Sequence, residues 1–104
     1  MRSVPISQIT LNSQGILEVT PDLPANEDFE FIWRAARSAR WLSEYRSLTV
    51  ATDSRLSAVE ALECILISAS GEYGVNLVLI PSTNWSNIST TLQRELSGVV
   101  ARVA

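Results

Sequence analysis

The chain has 104 residues, 46% of them hydrophobic and 18% charged, with a formal net charge of −3. It is too apolar for intrinsic disorder and too short for several domains, which predicts one domain over residues 1–104 that hides roughly 60–65% of its extended surface. There are no histidines and no lysines, and all eight basic residues are arginines. This excludes an imidazole-dependent Ser-His-Asp or Cys-His site, a Walker loop and Schiff-base chemistry.

Residues 6–11 alternate, and Ile16 to Thr20 follow after the Gly-containing stretch 12–15, which predicts a hairpin with Gly15 at positive φ. Pro21 and Pro24 then break the pattern, Asn26 can cap, and Glu27 and Asp28 suit a first helical turn. Phe29, Ile32, Trp33 and Ala36 keep helical spacing, so a helix is expected over 27–38. Trp41–Leu42 and Leu48 to Ala51 flank a polar stretch and predict a second, short hairpin.

Asp53 or Ser54 can cap a second helix, and Ser57 with Glu60 matches the capping box. Leu56, Val59, Leu62, Ile65, Leu66, Ala69 and Tyr73 keep its apolar face, while Cys64 and Ile67 widen that face toward a second contact. Gly71 and Gly74 are its stop candidates, and the apolar run 75–81 reads as an interior strand ended by Pro81. After the polar turn 82–87, Ile88, Leu92, Leu96, Val99, Val100 and Val103 predict a third helix over about 87–101, with Thr90 and Gln93 as its capping box. The expected fold is α+β, a mainly antiparallel sheet of about five strands with three helices on one face, in the order β-β-α-β-β-α-β-α.

Cys64 is the single cysteine, so no internal disulfide or one-chain zinc site can form, and a cytoplasmic location is expected. No signal-peptide core and no membrane-spanning run is read from the sequence, and the negative net charge argues against a broad nucleic-acid surface. Asn84-Trp85-Ser86 and Asn87-Ile88-Ser89 match the glycosylation acceptor pattern, but read here as turn and capping residues.

Ile9, Gly15 to Leu17, Val19, Pro21, Phe29, the run Ile32 to Ala36 and Trp41 form one distinctive set of positions; Glu72 to Gly74, Leu77, Leu79, Thr83 and Trp85 form another. Together they resemble small α+β proteins encoded by integron mobile gene cassettes. The resemblance covers most of the chain and implies a bacterial cytosolic protein, often oligomeric. It brings no reaction and no catalytic residues to carry over.

Arg34 and Arg37 lie i, i+3 on the expected first helix and can present forked donors to a carboxylate or phosphate. The same cations complement a helix C-terminus, and Glu30 stands i, i+4 before Arg34, which explains them without a ligand. Thr83, Asn84 and Trp85 sit where an apolar strand leads into a helix N-terminus, a place suited to anions, although Ser86, Asn87 and Ser89 also serve as caps. Trp85 in a polar turn either plugs the core or contacts something outside. Glu60 and Glu63 could bridge a hard cation or hold a proton, but with no third ligand or partner base a solvated helix face is the preferred account of them. Glu44 with Tyr45 and Glu72 with Tyr73 are unspecific, and Cys64 reads as a small buried hydrophobe.

Three readings follow. The first is a homo-oligomeric interaction or adaptor module, a dimer in its simplest form, in which self-association or a protein partner covers surplus apolar helix face. The second is a binder of a small anionic ligand through Arg34, Arg37 and the 82–87 turn, with Trp33 or Trp85 as apolar wall. The third is an enzyme that works without histidine through carboxylate, tyrosine or hydroxyl groups. No catalytic residue, cofactor or metal is assigned.

Overall fold

The alternation of the first twenty residues is built as expected, but it belongs to a longer strand. In the computed structural model, which describes residues 1–32, 39–51 and 55–103, β1 runs Arg2–Leu11 and β2 runs Leu17–Pro21. A register shift between Ile6 and Gln8 switches the inward parity of β1, so that Val4 and Ile6 before it and Ile9 after it are all buried. The turn is held by Asn12, whose side-chain oxygen accepts from the Gln14 and Ile16 N–H groups, and by Gly15 at φ +77°.

The remaining elements are β3 (Ala39–Leu42), β4 (Ser47–Val50), α1 (Ala58–Tyr73), β5 (Val75–Val78), β6 (Asn84–Ser86) and α2 (Thr90–Val103). The six-stranded sheet has the order β3-β4-β2-β1-β5, with β6 also paired to β1. The first four strands pair antiparallel as two hairpins joined at β2 and β4, whereas β5 and β6 both pair parallel to β1. The fold is therefore α+β with a mixed sheet, and not the mainly antiparallel one expected. Among the described residues it has six strands and two helices, where about five strands and three helices were predicted.

The expected helix over 27–38 accounts for the difference in helix number. Its residues 27–29 are irregular, 30–31 form a turn and Ile32 a 3-10 position, and 33–38 lie outside the described residues. An α-helix here would bond the Phe31 N–H to the Glu27 carbonyl. Instead Phe31 donates to the Tyr73 hydroxyl at 2.9 Å, and the Glu27 carbonyl accepts from Arg46 at 2.8 Å. Shorter bonds fill in, with the Ile32 N–H on the Phe29 carbonyl and the Glu30 N–H on the Asp28 carboxylate. Phe29 and Ile32 are still fully buried, which is why their spacing imitated a helix.

Helix α1 starts at the predicted capping box: the Ser57 hydroxyl accepts from the Glu60 N–H, and the Glu60 carboxylate accepts from the Ser57 N–H. Of its two stop candidates, Gly74 is the C-cap, in left-handed conformation with its N–H on the Ser70 carbonyl. The alternative caps Asp53 and Ser54 lie outside the described residues. Strand β5 lies at the end of the strand order and not in its interior. Val75 and Leu77 are buried because α1 packs against this strand, so a second strand is not needed to cover them.

Helix α2 begins at Thr90, and its expected capping box of Thr90 with Gln93 is replaced by Ser89, whose hydroxyl accepts from the Leu92 N–H. It packs on α1, which itself lies against β2, β3, β4 and β5. The core between them gathers Ile9, Val19 and Leu48 from the sheet, Leu62 and Ile65 from α1 and Leu96 from α2, each fully buried. Gln8, Thr10, Glu18 and Thr20 occupy the alternate positions on β1 and β2 and leave the opposite sheet face polar.

Candidate functional site

The 82–87 segment, expected as a polar turn, contains β6. Strands β5 and β6 lie end to end along one edge of β1, β5 beside residues 2–5 and β6 beside Gln8 to Thr10. Buried Thr83 closes the gap between them: its hydroxyl donates to the Ile6 carbonyl at 2.7 Å and accepts from the Ile80 N–H at 3.0 Å. Asn84 donates to the Gln8 side chain at 3.3 Å, and Asn87, at φ +58°, donates to the Leu11 carbonyl at 2.9 Å. Trp85 stands opposite Ile9 in the parallel register, half-buried against the core. The polar groups of Thr83, Asn84 and Asn87 thus tie the segment to β1. Arg34, Arg37 and Trp33 lie outside the described residues.

The carboxylates are dispersed. Glu60 is held below its ordinary pKa by the Ser57 N–H and then by the Ser57 hydroxyl. Glu63 pairs with Arg102 at 2.9 Å, so this i, i+3 pair turns to two different partners. Glu27 is held below its ordinary value by hydrogen bonds from the Arg2 guanidinium at 3.0 and 2.6 Å. No group of three or more potential metal ligands occurs among the described residues. Cys64 is a half-buried free thiol whose backbone carbonyl accepts from the Ser68 hydroxyl.

A different surface stands out. Among the described residues the exposed large hydrophobics are Met1, Phe31, Tyr45 and Ile67, and three of these gather around the C-terminal half of α1. Ile67 projects from it, 59% exposed. The Met1 sulfur accepts from the Ser70 hydroxyl at 3.6 Å, and the Tyr73 hydroxyl accepts the Phe31 N–H. Tyr73 is itself fixed edge-on against buried Phe29, ring centroids 4.7 Å apart, and Phe29 meets Trp41 edge-on at 5.7 Å. Arg46 covers Trp41 from 5.8 Å. The Phe31 backbone is thus tied to a run of edge-on rings, Tyr73, Phe29 and Trp41. Residue types alone pointed only to Ile67, as a widening of the α1 face; Met1 and Phe31 join it through contacts that span 69 and 42 positions of sequence.

No helix among the described residues is long and apolar enough to cross a membrane. No family model matches the chain, and no curated protein matches it. Among solved structures it is similar to the integron cassette protein Hfx_Cass5 from the mobile metagenome of the North West Arm sewage outfall. The two are 33% identical over 97% of this chain and 98% of the other, with a TM-score of 0.44. Identity at that level across almost the full length of both chains shows that the chain belongs to the integron cassette proteins.

Proposed function

We propose that the protein is a homo-oligomeric interaction module, a dimer in its simplest form, whose copies pair through the patch formed by Ile67, Met1 and Phe31. The observation that carries this reading is that Ile67, Met1 and Phe31 are all exposed, with Met1 bonded to Ser70 and the Phe31 backbone bonded to Tyr73 on the same half of α1. A second copy suits the patch better than a charged partner. Beside Ile67, Ser70 and Gly71 are small and uncharged, and Glu63 on the other side is already paired with Arg102, so the local charge is balanced. A two-fold axis near Ile67 sets the patch against its own image and lets the helices approach over Gly71. A free, half-buried Cys64 supports placing the module in the reducing bacterial cytosol.

Sedimentation equilibrium from about 1 to about 200 μM tests this, because removing a central apolar anchor shifts an association constant by at least about tenfold. The wild type is expected to dimerise within that range, and Ile67→Asp to move the equilibrium at least tenfold toward monomer. Ile67 faces solvent, so the dilute melting temperature should stay unchanged. A wild type that stays monomeric at the highest concentration sinks the proposal.

A further inference from the structure

The structure holds a cleft remote in sequence from the patch, formed within a single copy of the chain. Its volume is about 170 Å³, and it lies between the β1–β2 turn, the end of β4 and the start of α1. Ile16, Leu17, Val50, Leu56 and Ala61 give it apolar walls, and the polar side chains on its lining are those of Gln14 and Arg55. Arg55 is exposed, in left-handed conformation at φ +58°. Arg2 is engaged with Glu27, Arg46 with two carbonyls and Arg102 with Glu63, whereas Arg94 on α2 is exposed but does not line this cleft. Among the described residues no carboxylate lines the cleft or pairs with Arg55.

We infer that this cleft binds a small monocarboxylate with a compact apolar body, its carboxylate on the Arg55 guanidinium and its body against Ile16, Val50 and Leu56. A concave site that sets apolar walls beside a few polar groups is a usual form of small-ligand pocket, and here the polar part of the lining is the larger. A cavity of about 150 Å³ accommodates benzene, so this volume suits a body of roughly six to nine heavy atoms. A guanidinium provides two parallel donors matched to one carboxylate. At the neighbouring helix start the Glu60 N–H is already taken by the Ser57 hydroxyl, so the anion is assigned to Arg55. The Glu60 carboxylate at that same turn opposes a dianion such as phosphate, which leaves one negative charge as the best match.

The test is a titration of the full chain with benzoate and with hexanoate, followed by amide NMR shifts, with benzamide and inorganic phosphate as comparison probes. Saturable shifts are expected at Gly15, Ile16, Ala51 and Ala58. Benzamide and phosphate should bind at least about tenfold more weakly, as loss of a charge-assisted pair implies. Arg55→Gln should weaken benzoate binding at least tenfold, while Arg94→Gln, at an exposed arginine on α2, leaves it unchanged. No saturable shift by about 20 mM, a limit below which even weak small-ligand affinity shows, overturns the inference. So do shifts mapping elsewhere, phosphate binding as tightly as benzoate, or wild-type affinity in a folded Arg55→Gln protein.

Discussion

Replacing Thr83 by valine removes one hydroxyl and almost no volume, which isolates what that hydroxyl does. In the wild type it donates to the Ile6 carbonyl at 2.7 Å and accepts from the Ile80 N–H at 3.0 Å, on a residue only 8% exposed. Neither ladder can take over, because β5 pairs with β1 up to Pro5 and β6 pairs with it from Gln8. Across the hairpin Ile6 faces Pro21, which has no N–H to offer its carbonyl. Leaving a buried donor or acceptor without a partner costs about 1–3 kcal/mol. Two affected groups, one of them only half-buried, give about 2–3 kcal/mol of destabilisation. With an unfolding entropy of about 2.1 cal/mol/K per residue, that lowers Tm by roughly 9–14 °C in a chain of 104 residues. Thr83→Ser keeps the hydroxyl and should lose less than about 1 kcal/mol. The assay is urea unfolding with calorimetry at one protein concentration. Equal stability of the valine and serine variants would refute the reasoning.

Two further perturbations test local features of the fold. Glu27 and Glu60 both have pKa values lowered from 4.5 by hydrogen bonds formed in the folded chain. A depressed folded value means that stability is fully present above the unfolded pKa and is lost as pH falls through the folded one, so the urea midpoint should decline below about pH 4.5. In the double variant Glu27→Gln with Glu60→Gln this decline should be shallower, and a slope unchanged from wild type would remove the assignment. Gly74→Ala forces an L residue to φ +63° in open space and should cost about 1 kcal/mol. Gly71→Ala, inside α1 with open space around its Cβ, should instead gain about 0.5–1 kcal/mol. Chemical denaturation showing the same sign for both would contradict the C-cap reading.

What could be read from the sequence is what is decided over a few neighbouring residues. The Ser57–Glu60 box closes within three positions, the Asn12–Gly15 turn within a few, and the alternation of β2 is a property of that strand alone. Over 27–32, the described part of the helix expected at 27–38, no α-helix forms, because the Glu27 carbonyl is taken by Arg46, 19 positions away, and the Phe31 N–H by Tyr73, 42 positions away. Strand β6 went unseen for the same reason. Three residues, Asn84 to Ser86, have no periodicity of their own, and they are extended because β1 offers an edge beyond the end of β5.

The candidate sites divide along the same line. Thr83, Asn84 and Trp85 drew attention as polar and aromatic residues in a turn, yet such side chains satisfy a distant strand as readily as a ligand, and Thr83 and Asn84 bond β1. The cleft is assembled from three stretches, and no local pattern marks Arg55 as its cation. Ile67 is the position where local and global information agree. The sequence of α1 is apolar on more sides than one sheet can cover, and the sheet with α2 buries Leu62, Ile65, Ser68 and Ala69 around it. Ile67 remains on the outward side, at 59% exposure, between acidic Glu63 and small Gly71. An isolated exposed isoleucine would need no explanation. Its proximity to Met1 through Ser70, on the same half-helix that anchors Phe31 through Tyr73, makes it the centre of a surface that pairing of two copies would bury.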